Sequence, residues 1–119
     1  MEEERKKVLQ VCQDLVKNEL VDNTGSMGNV SLRAPDRNLI AITPSQVRYD
    51  TMEPEDIIIM KIDGEIIDAK GGRSPTVECP THLMIHKEID GVKAVVHSHP
   101  THSVTMGLFE EEIPSVHSG

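Results

Sequence analysis

Residues 57–62 read Ile-Ile-Ile-Met-Lys-Ile, and this run limits the fold more than any other stretch of the chain. β-branched side chains are stiff about χ1 and pack well on a pleated surface, so a strand is predicted here. Asp63-Gly64 follows, a two-residue pair of the hairpin type, and Glu65-Ile66-Ile67 returns. An antiparallel pair is therefore written into the middle of the chain. Two shorter apolar runs, Val30-Ser31-Leu32 and Leu39-Ile40-Ala41-Ile42, flank the turn residues Ala34-Pro35-Asp36-Arg37-Asn38 and predict a second hairpin. Val92 to His97 predicts another strand.

Helices are predicted around this sheet. From Met1 to Val21, Val8, Val11, Cys12, Leu15, Val16 and Leu20 recur at three- and four-residue spacing, with charges between them. Glu2, Glu3 and Glu4 stand where the helix dipole favours acid, and Asp22-Asn23-Thr24-Gly25 is expected to end the element. A second helix is expected from about Val77 to Ile89, with Pro80 tolerable in its first turn. A helical piece is expected from about Thr101 to Leu108, and Ile113-Pro114-Ser115-Val116 opens a further element. Hairpins with segregated helices give an α+β class with a largely antiparallel sheet, residues 1–119 forming a single domain. The chain stops soon after a strand-like segment, with no terminal helix to cover the sheet. It is thus expected to be the N-terminal part of a larger domain, truncated at its C-terminus.

Composition narrows the function. Tyr49 and Phe109 are the only aromatics apart from histidine, so the core must be aliphatic. Twenty acidic against twelve basic side chains give a net charge of −8, which argues against nucleic acid as a partner. No run approaches the ~18–20 apolar residues of a membrane helix, and MEEERKK is not a signal peptide. Cys12 and Cys79 form no CxxC pair; reduced thiols and a cytoplasmic location are expected.

The sharpest chemical signal is Val95-Val96-His97-Ser98-His99-Pro100. In a strand, residues i and i+2 share a face, so His97 and His99 present two imidazoles about 6–7 Å apart at Cα, close enough to share one metal ion. Two histidines closing an otherwise apolar run call for such a reason. Catalytic zinc sites usually take three protein ligands, and Glu78, His82, His86, His102 and His117 are the remaining candidates. His82 and His86 stand at i, i+4, but without a metalloprotease glutamate between them a solvated helix face is the expected reading. His102 reads equally well as a surface residue. Glu78 near a divalent ion can shuttle protons, or it can simply stabilise a first helical turn. Gly25-Ser26-Met27-Gly28-Asn29 can turn backbone N–H groups toward an anion, though it matches no nucleotide-binding loop. Thr43/Ser45 and Ser74/Thr76 add small hydroxyls at the ends of apolar runs. These three loops make a phosphate cradle if the fold brings them together.

Taken in order, TGSMGNVSLR (24–33), ITPSQVRYD (42–50), SPTVECPTH (74–82) and AVVHSHPTHSV (94–104) resemble the class II aldolase/adducin family, and most of all its L-fuculose-1-phosphate aldolases. The resemblance runs from the first helix onward. It implies an α/β/α arrangement with a central antiparallel sheet, and a zinc-dependent lyase that cleaves a phosphorylated ketose to dihydroxyacetone phosphate and an aldehyde. It implies His97 and His99 as zinc ligands and Glu78 as the catalytic acid/base, able to contact the metal when no substrate is bound. It implies that Gly28, Asn29, Ser45, Gln46, Thr76 and Val77 surround the substrate phosphate. It also implies a homotetramer with sites between subunits, and a phosphorylated sugar as the small-molecule partner. Another divalent metal suits the same donors.

The pattern departs from the family at several points. Val77 stands where a serine is usual, Gln46 where glycine is usual, and Ser118 where a tyrosine often follows the histidine matched by His117. The family's third zinc histidine lies beyond residue 119. Glu rather than Asp at 78 favours an aldolase over a sugar-phosphate 4-epimerase. A dehydratase of the same family also carries Glu, and a non-catalytic adducin-like module usually lacks the HxH pair.

Overall fold

The computed structural model describes residues 1–21, 28–34 and 38–98, together with the strand backbones at 105–109 and 116–118. Helix α1 (Glu2–Lys17) leads into strands β1 (Asn29–Arg33), β2 (Leu39–Ile42), β3 (Ile58–Lys61) and β4 (Ile66–Asp68). Helix α2 (Cys79–Glu88) follows, then β5 (Ala94–Ser98), β6 (Thr105–Phe109) and β7 (Val116–Ser118). The strands form one sheet in the order β4-β3-β2-β1-β5-β6-β7, and every neighbouring pair is antiparallel. The α+β class and the antiparallel sheet expected from the sequence are what the structure shows.

The two helices cover opposite faces of the sheet. On one face Val8, Cys12 and Leu15 of α1 bury against Val30, Ala41, Ile57 and Ile59. On the other, Cys79 and the half-buried Leu83 of α2 meet Ile40, Ile42, Ile58 and Met60. Because successive side chains of a strand point to opposite faces, β2 and β3 must be apolar at every position to fill both layers. That explains the unbroken runs 39–42 and 57–60. Each fully buried Ile, Leu or Val contributes roughly 1.5–3 kcal/mol by leaving water.

Three expectations are corrected. α1 ends at Lys17 rather than near Val21: Glu19 turns left-handed (φ 60°), and the Leu20 amide donates back to the Leu15 carbonyl at 2.9 Å. The apolar period had carried on through Leu20, which is exposed. Next, β5 and α2 begin two residues later than predicted. Finally, Thr105–Phe109 is a strand, not the end of a helix. It pairs with the whole of β5, from Ala94↔Phe109 to Ser98↔Thr105, because the far edge of β5 carries backbone donors and acceptors that a helix would leave unpaired. Residues 101–104 of that expected helix, and 35–37 of the first turn, lie outside the described residues.

Candidate active site

Antiparallel register brings the N-terminal end of β1 beside the C-terminal ends of β2 and β5. Asn29 pairs with His97, and Ser31 pairs with both Ile42 and Val95. The chemistry-bearing residues gather at this end.

Gly28 enters β1 in a space that admits no side chain. A Cβ there would lie 2.5 Å from Val21 Cγ1 and 3.0 Å from the His97 carbonyl oxygen. The Tyr49 hydroxyl donates to the Gly28 carbonyl at 2.6 Å, which fixes the approach of this loop to β5.

Residues 25–27 of the first expected loop lie outside the described residues, and Thr43 ties β1 to the hydroxyl-bearing loops at 43–45 and 74–76. Its amide donates to the Val30 carbonyl at 3.0 Å, and its Oγ1 accepts the Val30 amide at 3.2 Å. Its own carbonyl accepts the Thr76 amide at 3.0 Å. Alongside, the Ser45 amide donates to the Ser74 carbonyl at 2.8 Å, and Pro44 bridges Pro75. Thr76 is buried, and its Oγ1 accepts the Glu78 amide at 3.3 Å. Glu78 stands half-buried at the N-cap of α2, where its carbonyl accepts the amides of Thr81 and His82.

Two of the expected phosphate residues behave unlike their neighbours. Gln46 is exposed and left-handed (φ 55°), a conformation that favours glycine and that a side chain holds only under strain. Val77 is 81% exposed and offers no hydroxyl.

His97 is half-buried on the face that α2 covers, with its Nδ1 3.5 Å from the Asn29 amide nitrogen. His99 and His102 lie outside the described residues. His117 lies on β7, and its side chain is likewise outside them. Among the described residues, no group of three or more His, Cys, Asp and Glu side chains gathers where a metal ion could be held. The donors that are described still suit a divalent ion. A half-buried imidazole oriented by a neighbouring amide is the usual condition of a metal-binding histidine, and a carboxylate stands at the head of the facing helix.

His82 and His86 are not on a solvated helix face. Both are 1% exposed and point at β1. Ser31 Oγ lies 2.6 Å from His82 Nδ1 and 2.7 Å from His86 Nε2. His82 Nε2 makes a short hydrogen bond with Asn29 Oδ1. Burial, with His86 and His97 nearby, pushes the pKa of His82 down to about 3. Burial and the Arg33 guanidinium, which donates to the His86 carbonyl at 3.1 Å, push His86 down to about 4. Both rings are therefore neutral at neutral pH. The signal was present in the sequence: polar residues at i, i+2 on a strand (Asn29, Ser31) and at i, i+4 on a helix (His82, His86) are two stripes that can face each other.

Comparisons with known proteins agree with this architecture. The family model described as the Class II Aldolase and Adducin N-terminal domain matches residues 6–119. A 5-deoxy-D-ribulose 1-phosphate aldolase of Bacillus thuringiensis serovar kurstaki is 31% identical over 116 residues, 98% of this chain and 53% of that protein. The L-ribulose-5-phosphate 4-epimerase UlaF of Salmonella paratyphi C is 32% identical over 116 residues, 98% of this chain and 49% of that protein. A solved structure of an L-fuculose 1-phosphate aldolase matches with a TM-score of 0.75 and 29% identity, over 83% of this chain and 45% of that one. The chain spans about half the length of the curated relatives it matches.

Proposed function

Because this chain belongs to the class II aldolase and adducin family, we propose that it supplies the phosphate-binding and proton-transfer part of a metal-dependent aldolase acting on a phosphorylated ketose. The observation that carries the reading is the link through Thr43. It ties β1 to the Ser45 and Thr76 loops, with Glu78 two residues after Thr76, and it is at this end of β1 that Asn29 pairs with His97.

The residues divide the work. Gly28 and Asn29, Ser45 and Gln46, and Thr76 and Val77 surround the substrate phosphate. The N-terminus of α2 adds its partial positive charge at the same place. The buried hydrogen bonds of Thr43 and Thr76 hold these loops before substrate arrives, which lowers the cost of ordering them. Glu78 transfers the proton at the carbon beside the ketose carbonyl when the C3–C4 bond breaks or forms. His97, His99 and Glu78 would hold a divalent ion, zinc by donor type. Such an ion, when bound, polarises the carbonyl and hydroxyl oxygens of the ketose. A homotetramer in the cytoplasm, as in the expectation above, belongs to the same proposal.

A second reading, sugar-phosphate 4-epimerase, is favoured by the 32% identity to UlaF over 98% of the chain. Glu78 supports the aldolase. Incubation with ketose 1-phosphates and with L-ribulose 5-phosphate, scoring dihydroxyacetone phosphate release against epimer formation, separates them. Dihydroxyacetone phosphate release is expected. Epimer formation without it would replace the proposal with the second reading.

A further inference from the structure

The residues assigned to the substrate phosphate carry no full charge. Gly28, Asn29, Ser45, Gln46, Thr76 and Val77 are all neutral. A phosphate monoester carries about −1.5 to −2 at neutral pH, whereas a helix N-terminus supplies only roughly +0.5. The chain as a whole stands at −8, which repels an anion. A cation at this end of the sheet is therefore called for.

Each other described arginine is engaged elsewhere. Arg33 ends β1, at the far end of the strand from Asn29, and donates to the His86 carbonyl. Arg5 pairs with Asp68 at 2.7 Å and donates to the Ile57 carbonyl. Arg48 meets both carboxylate oxygens of Asp50, at 3.1 and 2.9 Å. Arg73 is placed differently. With Lys70 it lies on the loop that runs into Ser74 and Thr76, and both side chains reach one buried carboxylate. Asp56 is 5% exposed and stands just before β3; its Oδ1 lies 3.3 Å from Arg73 Nε and 3.8 Å from Lys70 Nζ. Its Oδ2 accepts the Glu53 amide at 2.9 Å. Two cations against one carboxylate leave a surplus of one positive charge.

We propose that Arg73, held at Nε by Asp56, closes the phosphate cradle with its two Nη groups and is the side chain by which this site selects a phosphate dianion. The guanidinium is a planar fork. With Nε toward Asp56, the edge formed by the two Nη groups is open, and neither makes a hydrogen bond among the described residues. That edge matches two oxygens of a phosphate. Backbone contacts carry the loop to the cradle. The Ser45 amide donates to the Ser74 carbonyl at 2.8 Å, Pro44 bridges Pro75, and the Thr76 amide donates to the Thr43 carbonyl at 3.0 Å. Arg73 stands one residue before the first of these joints. Gly71 and Gly72 are both left-handed (φ 60° and 72°), and the Arg73 amide donates to the Lys70 carbonyl at 3.1 Å, a tight turn that lets both cations reach the same carboxylate. A buried carboxylate stripped of its cations is strongly destabilising, so Asp56 fixes the loop as well as its charge.

The inference rests on the proposed phosphate cradle, and binding measured without turnover separates the two. Inorganic phosphate is titrated into the nitrogen-15-labelled chain, beside potassium chloride at equal ionic strength. In the wild type the amides of Asn29, Ser45 and Thr76 are expected to move with phosphate and not with chloride. Arg73→Gln is expected to weaken phosphate binding by ~10–100-fold. Lys70→Gln removes a charge but leaves the fork, and a smaller loss is expected. Should Arg73→Gln fail to fold, Arg73→Lys keeps the charge and removes the fork, and a loss of several-fold is expected. Wild-type phosphate affinity in either folded Arg73 variant would overturn the inference and leave the cradle standing. A larger loss in Lys70→Gln than in Arg73→Gln would overturn it as well. Wild-type amides indifferent to phosphate, or moved equally by chloride, would remove the cradle itself and the inference with it.

Discussion

The two faces of the sheet are built on different principles. Under α1 the buried contacts are mainly apolar, Val8, Cys12 and Leu15 on Val30, Ala41, Ile57 and Ile59, with the Arg5 Nε–H donating to the Ile57 carbonyl at 3.1 Å at their edge. Even the Cys12 thiol behaves as a hydrophobe there, its pKa pushed up to about 12 by burial. Under α2 the layer is split. Over β2 and β3 it is as apolar as the first face. Over β1 and β5 it is polar, with His82 and His86 above Asn29 and Ser31. Apolar packing is non-directional and tolerates rearrangement, whereas a buried hydrogen-bond file must be satisfied at every link. Precision is thus concentrated on one half of one face, beneath the end of the sheet where Asn29 pairs with His97.

The contrast can be broken from the polar side first. Glu78→Gln keeps the shape of the α2 N-cap and removes a titratable carboxyl. Turnover is expected to fall by ~10²–10⁴-fold while bound metal is largely retained, measured by steady-state kinetics beside metal analysis. Unchanged turnover would remove Glu78 from proton transfer.

Stability should sort the faces next. Ile59→Ala opens a cavity under α1, and urea unfolding is expected to show a loss of ~2–5 kcal/mol. His82→Ala leaves Asn29 and Ser31 without a shared partner, with an expected loss of ~1–3 kcal/mol and the larger disturbance at His97. Equal perturbation of His97 by both variants would erase the distinction between the faces.

Acid should also act on the polar half. His82 and His86 titrate near 3 and 4 when folded but near 6.5 when unfolded. The unfolded chain therefore binds more protons between these values. Their contribution to stability is complete above pH 6.5 and is lost as pH falls toward 4. Replacing both by apolar residues is expected to flatten this limb of the stability profile.

The smallest effect concerns Gln46. Gln46→Gly relieves a left-handed backbone, offset by greater freedom of the unfolded chain, for an expected gain of up to about 1 kcal/mol.

Much of this was legible in the sequence, for physical reasons that also explain the failures. The runs 39–42 and 57–60 announced strands because β-branched residues suit little else, and Asp63-Gly64 announced the turn that closes at Gly64 with φ 105°. The glycine usual in place of Gln46 corresponds to a backbone conformation that the structure does require. Strand β6 was missed because a short segment takes its structure from the partner it pairs with, not from its own composition. The early end of α1 was missed because periodicity reports a face and not a stop. At the site, Glu78, Thr76, Ser45 and His97 could be named one at a time. The link through Thr43 and the histidine–serine file could not, since both depend on strand register, which joins residues 13 to 55 positions apart.

The proposed metal-dependent chemistry depends most directly on His97. Equilibrium dialysis of the chain and of His97→Ala against Zn2+, followed by metal analysis, measures it. Binding by the wild-type chain that is lost in the variant is expected. Equal binding by the two would contradict it.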